Sequence, residues 1–254
     1  MKFKFKHIII TRFSIFVKSW SKKIDNNDQY LRYRLKLFCR FCMPSIQSQS
    51  SRNFIWFVLF GADTPEWLRT HVYKWEHDNI MIPIYVPKGN DVIRPIKNWV
   101  HTNMRQGEII ISTRLDNDDG LAAGYVHNVQ RYIPDAIQYF EKWKYKKLLK
   151  HYYVEPVRGQ QVVVRSDNPK EWKFYPAYSR SNPFMSMIEP FSNEPLLIHW
   201  KQHNKLLSQE SFVRQINNTM WLQVIHGGNL MNRCVSKKTR PPDIYAFPWL
   251  SRYV

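Results

Sequence analysis

Three cysteines in 254 residues, Cys39, Cys42 and Cys234, are too few and too odd in number for a disulfide framework. That excludes the small stapled secreted folds and points to reduced thiols in a cytoplasmic protein. Cys39 and Cys42 form a C-x-x-C, but no second such pair completes a zinc site, and the pair falls inside a predicted helix. Both are read as structural thiols. No apolar run approaches the ~20 residues that span a bilayer. The start, Met1-Lys2-Phe3-Lys4-Phe5-Lys6, resembles the basic end of a signal peptide, yet the apolar stretch after it stops at Thr11-Arg12. The expectation is a soluble chain. Neither G-x-x-x-x-G-K-[ST] nor G-x-G-x-x-G occurs, so P-loop and Rossmann dinucleotide sites lack their glycine fingerprint. H-E-x-x-H is absent too: His199 and His203 are four apart but enclose Trp200, Lys201 and Gln202, and read as a structural pair.

Acidic residues are also scarce. Against 38 Lys and Arg stand 20 Asp and Glu, a formal net charge of +18. Such a field favours anionic partners, whether nucleotide diphosphates, nucleic acid or an acidic membrane surface. The cations are dispersed; Lys142, Lys144, Lys146, Lys147 and Lys150 are the densest group. Helix-turn-helix, zinc-finger and RNA-binding signatures are missing, so a nucleic-acid partner is not expected.

What is present is globular. Hydrophobic residues make up 44% and aromatics 15%, including 10 Trp and 14 Tyr, and the length suits one α/β domain. The runs His7–Thr11, Phe54–Phe60, Ile80–Val86 and Glu108–Leu115 read as strands. Pro83 marks the third as an edge. Between them, Gln29–Cys42, a segment opening at Thr64-Pro65-Glu66, and Asp91–Met104 have helical spacing, with Pro44 ending the first. Leu121–Ile133 reads as helix, Pro134 breaking or restarting it. Gln161–Arg165 and Lys173–Tyr175 read as a hairpin, and Asn204–Asn217 as helix. Alternating strands and helices predict a mixed, mostly parallel central sheet with helices on both faces. No linker divides residues 1–254, giving a nucleotide half to about residue 120 and an acceptor half beyond.

Ligands of open α/β sheets sit at the carboxyl ends of strands. There, after the fourth strand, stands Asp116-Asn117-Asp118-Asp119. Three carboxylates in four residues repel unless a cation or donor groups balance them. Mn²⁺ or Mg²⁺, which take oxygen ligands and share them with phosphates, would do so. Arg114 is placed to balance charge or grip a phosphate. The plain alternative is an acidic surface turn capping the next helix.

Five stretches resemble a bacterial rhamnosyltransferase family. They are Thr11-Arg12-Phe13, Phe41-Cys42-Met43-Pro44-Ser45, Phe60-Gly61-Ala62-Asp63-Thr64-Pro65-Glu66-Trp67, Thr113-Arg114-Leu115-Asp116-Asn117-Asp118-Asp119 and Trp221-Leu222-Gln223-Val224-Ile225-His226-Gly227-Gly228-Asn229. The resemblance implies a GT-A-type glycosyltransferase that uses a nucleotide-diphosphate sugar, with L-rhamnose the sugar its name suggests. It places Thr11 and Arg12 near the base or diphosphate, Asp63 at the nucleoside and Asp116 at the ribose or sugar. Asp118 or Asp119 would hold the metal, with His226 completing its shell. Glu189 lies where such enzymes carry a general base; Asp167 and Glu194 are the other carboxylates in play. The acceptor would be a surface polysaccharide or a lipid-linked glycan, with the basic protein docked on an anionic membrane. Clustered carboxylates on a basic chain also suit a metal-dependent phosphodiester hydrolase, and a basic nucleic-acid module is the remaining class.

Overall fold

The computed structural model describes residues 3–15, 28–89, 91–143, 151–192, 194–198, 212–227, 234, 236 and 238–253. The first four strands are β1 (Phe5–Arg12), β2 (Ile55–Gly61), β3 (Ile82–Val86) and β4 (Ile109–Asp116), and all their mutual pairings are parallel. The apolar runs Ile8–Ile10 of β1, Ile55–Phe60 of β2 and Ile109–Ile111 of β4 are covered on both faces. On one face Ile9, Trp56, Val58, Phe60 and Ile111 pack against α1 (Asp28–Leu37), α3 (Glu66–His77) and α5 (Tyr125–Gln130). On the other, Ile8, Ile10, Phe57, Leu59 and Ile110 meet Ile96 and Val100 of α4 (Arg94–Asn103). Pro83 does lie on an edge, since among the described residues β3 pairs only with β2.

The sheet continues with β8 (Ser186–Pro190), β6 (Tyr152–Val163), β9 (Phe212–Ile225) and the two-residue β5 (Gly120–Leu121), in the order β3-β2-β1-β4-β8-β6-β9-β5. β7 (Lys173–Tyr178) pairs with β6 as the predicted hairpin partner. Both halves of the chain thus share one nine-stranded mixed sheet, in which β8 runs antiparallel to β4. Among the described residues no helix is long and apolar enough to cross a membrane.

Three readings of the sequence need correction, and the alternatives left open at Pro134 are resolved. Pro44 does not end the first helix: a π-helical turn, Phe38–Cys42, follows α1 and leads into α2 (Met43–Gln47). The wider turn relieves the clash of the pyrrolidine ring with the preceding carbonyl, and Pro44 stands in the first turn of α2. Pro134 restarts a helix, opening α6 (Ile133–Trp143). Leu121 belongs to β5, so the helix begins at Tyr125. Residues 212–217 are strand, held between partners that local spacing does not reveal; residues 204–211 of that predicted helix lie outside the described residues. The His199–His203 pair and Lys144 to Lys150 also lie outside them.

The fold carries a buried histidine at its centre. His7 is 1% exposed, with Nε2 2.8 Å from Thr113 Oγ1. Burial pulls its pKa from 6.5 down to about 3. The unfolded chain therefore binds a proton that the folded one refuses, so stability is full above pH 6.5 and lost as pH falls from 6.5 toward 3. At about 1.4 kcal/mol per unit, the loss by pH 5 is about 2 kcal/mol. Urea unfolding at pH 7 and pH 5 should show that loss in the native protein and not in His7→Gln. Equal pH dependence in both proteins would rule it out.

Candidate active site

Along the sheet the chain steps outward from β1 to β2 and β3, then returns to β4 on the other side of β1. That reversal opens a crevice at the carboxyl ends of β1 and β4, the place where open α/β sheets bind ligands. Register sets Arg12 beside Asp116 and Ile10 beside Arg114. Alternation along the strands puts Arg12, Arg114 and Asp116 on the face of Ile8, Ile10 and Ile110. Arg114 Nη2 lies 3.4 Å from Asp116 Oδ1. Arg114 Nε is buried and has no hydrogen-bond partner among the described residues. Burial, and then the neighbouring Arg114, lower the pKa of Arg12, with Asp116 opposing them. Among the described residues the crevice thus holds two guanidinium groups and the carboxylate of Asp116.

Thr11 does not join this group. It is fully buried on the opposite face, where its Oγ1 accepts from Trp56 Nε1 at 3.0 Å. Asp63 is exposed and lines a recess at the ends of β2 and β3, with Lys88 and Gly89. Gly61 lets the chain pass close there: a Cβ would come within 2.4 Å of Asp63 Oδ1 and 3.0 Å of the Ser14 carbonyl oxygen. Ser14 Oγ accepts from the Gly61 N–H at 3.3 Å and stands 3.2 Å from Thr64 Oγ1, which binds the β1 loop to the β2 loop.

The acidic cluster divides its carboxylates among three environments. Asn117 donates to the Phe13 carbonyl at 3.0 Å and anchors the turn. Asp118 is 5% exposed, and its Oδ2 meets Arg34 Nη1 at 2.9 Å and His226 Nε2 at 2.8 Å. Burial raises its pKa, but Arg34 and the His226 hydrogen bond outweigh that and leave it at about 2. Asp119 turns away toward β9, where Oδ1 accepts from the Val224 N–H at 2.8 Å. Burial and the adjacent Asp118 raise its pKa well above the carboxylate range. Its observed job is to tie the cluster to β9, so the geometry does not bring it to the Asp118–His226 pair as a further ligand.

Arg34 was not foreseen. Its signal was a charge inside the apolar stripe Leu31, Arg34, Phe38, where Leu31 and Phe38 are both buried. Burial works against its charge, yet Asp118 more than compensates and raises its pKa. Tyr33 packs edge-on against His226, with ring centroids 5.3 Å apart.

Asp118 Oδ2 and His226 Nε2 are hydrogen-bonded at 2.8 Å, and Arg34 Nη1 lies 2.9 Å from the first and 3.3 Å from the second. Among the described residues no group of three His, Cys, Asp or Glu side chains converges to hold an ion. Arg34 supplies positive charge at the two atoms that would ligate an ion, and an ion there would have to draw its other ligands from water and phosphates.

Glu189 is a correction. It sits on β8 opposite Ile110, six residues before Asp116 on β4 and so about 20 Å from it. Its two oxygens accept the Leu196 and Leu197 N–H groups at 3.0 and 2.8 Å, which fixes a loop at the wrong end of the sheet for a general base. Asp167 is exposed and paired with Lys36 and Arg40; Glu194 is exposed. Of the C-x-x-C thiols, Cys42 is buried and Cys39 exposed, and both are free.

The sheet order, its switch-point crevice and the acidic turn behind β4 make this an open, mixed α/β sheet with a polar site at the carboxyl ends of β1 and β4. Residues 6–238 match the model of the family described as "Putative rhamnosyl transferase", and the chain belongs to that family. No curated protein matches it in sequence. Among solved structures, it resembles Staphylococcus aureus TarS residues 1–349 with 10% identity and a TM-score of 0.40. That match covers 86% of this chain and 60% of the TarS chain, so this chain spans less than two thirds of that relative. A "putative nucleotide-diphospho-sugar transferase" from Desulfovibrio desulfuricans G20 matches at 9% identity and a TM-score of 0.35, covering 88% of this chain and 82% of its own.

Proposed function

We propose that the chain transfers a sugar, L-rhamnose, from a nucleotide-diphosphate donor to a hydroxyl of a surface-polysaccharide or lipid-linked acceptor. The observation that carries the reading is the crevice between β1 and β4, where Arg12 and Arg114 flank Asp116 and the buried Arg114 Nε–H has no hydrogen-bond partner among the described residues. A buried unpaired donor in a cationic crevice is suited to an anionic ligand. Arg12 and Arg114 bind the diphosphate of the donor. Asp116 accepts from ribose or sugar hydroxyls, and Asp63 does the same for the nucleoside in the recess beside it. Asp118 and His226 would hold a Mn²⁺ or Mg²⁺ ion arriving with the diphosphate, and such an ion, when bound, neutralises charge developing on the leaving group. Residues 1 to about 120 form the donor half, and the rest serves the acceptor.

Calorimetry with UDP, GDP and dTDP, each with Mn²⁺, tests the reading. One nucleotide should bind, and Arg114→Gln should weaken that binding at least ~10-fold, the worth of one charge-assisted hydrogen bond. Binding of none of the three would end the proposal.

A further inference from the structure

A second cavity, of about 750 Å³, lies between α1 and the ends of β6 and β9. It shares none of its lining with Arg12, Asp63, Arg114 or Asp116, yet His226 forms part of its wall. Because His226 also contacts Asp118, the cavity and the donor crevice border the same buried cluster. Among the described residues three cations line it, Lys36, Arg40 and Arg165, with one carboxylate, Asp167. They come from separate parts of the chain, the first two from α1 and the π turn and Arg165 from the segment after β6.

This wall is preorganised. Arg40 lies over the Trp172 ring at 5.2 Å and reaches Asp167 at 3.4 Å, its side chain only 17% exposed. Lys36 pairs with the other oxygen of Asp167. One carboxylate holds two cations in place but can balance only one charge, and Arg165 adds a third cation at the mouth. Three minus one leaves a surplus of two positive charges facing a cavity large enough for a sugar unit. A surplus of two exceeds what one carboxylate or one phosphodiester needs, each carrying a single charge, and suits a diphosphate or two successive phosphodiesters of a chain, whose oxygens engage a guanidinium in pairs.

We propose that this cavity is the acceptor site and that it takes a phosphate-bearing acceptor, gripped by Lys36, Arg40 and Arg165. The inference rests on the glycosyltransferase reading above and names its substrate class. The phosphate belongs either to the repeating chain of a soluble polymer or to the diphosphate of a lipid carrier.

The full chain, saturated with its nucleotide, is titrated with four probes: a glycerol-phosphate oligomer, a long-chain isoprenyl diphosphate sugar in phosphatidylcholine vesicles, a neutral oligosaccharide and an oligosaccharide of uronic acids. At least one phosphate probe should bind about tenfold tighter than the neutral and uronate probes. Which one binds identifies the source. The double variant Lys36→Gln/Arg165→Gln should lose about tenfold or more for that probe, with nucleotide affinity unchanged. Asp167→Asn should bind it more tightly than the native protein, a gain that general damage to the fold would not produce. Four results overturn the proposal: no probe binds although nucleotide does, neutral or uronate probes bind equally well, the variants have no effect, or the probe displaces the nucleotide. If no nucleotide binds at all, the transferase reading itself falls and takes the acceptor assignment with it.

Discussion

Gly159→Ala is expected to destabilise the protein by about 3 kcal/mol or more, the upper range for overpacking a filled core. A Cβ at Gly159 would fall 2.1 Å from Cδ2 and 2.3 Å from Cε3 of Trp221. The indole cannot yield. It is 2% exposed, donates from Nε1 to the Pro156 carbonyl at 2.9 Å, and stacks on Phe184 with centroids 4.9 Å apart and planes 4° apart. The register of β6 on β9 also shifts between Arg158 and Gly159, so the close approach is built into a bulge. Trp221 further pairs with Leu121 of β5, two residues past Asp119, so displacement would reach the acidic cluster. Denaturant unfolding measures the loss. Adding Trp221→Leu should recover part of it by vacating the space. Native-like stability in Gly159→Ala would show that the ring can move after all.

That glycine illustrates what the sequence hides. Strands β1, β2 and β4 were legible because sheets covered on both faces read as unbroken apolar runs. β3 was legible as an edge from one proline. By contrast β9 carries Arg214, Gln215, Asn217 and Asn218 in its first half, and β8 carries Glu189 near its end. Their strand character comes from partners far away in sequence, and local pattern does not contain it. The candidate site divides in the same way. Asp116, Asp118 and Arg114 were visible because they follow closely on the apolar start of a strand, Ile109-Ile110-Ile111. The family resemblance singled out His226, and the fold sets it 2.8 Å from Asp118 across 108 positions. Thr11 follows the strand's alternation into the core, which the motif alone did not say. Arg34 escaped because a charge on an amphipathic helix ordinarily reads as solvated, and only tertiary packing turns it inward.

Arg34→Met and Asp118→Leu, made separately, should each cost about 3–5 kcal/mol, while the double variant should cost much less than their sum. The side chains are 12% and 7% exposed and meet at 2.9 Å, so removing either leaves the other charged, buried and short of its partner. Removing both takes away the charge and its counter-charge together and puts apolar side chains of comparable bulk in their place. A coupling below about 0.5 kcal/mol in a denaturation cycle would mean that Arg34 and Asp118 do not depend on each other. The same cycle separates stability from function. If the cluster existed for stability, the double variant, once folded, would retain nucleotide binding. If Asp118 is kept charged to engage the donor, the folded double variant should lose the Mn²⁺-dependent part of that binding. Stability replaced by apolar packing with the ligand lost is the signature of a buried ion pair held for its chemistry.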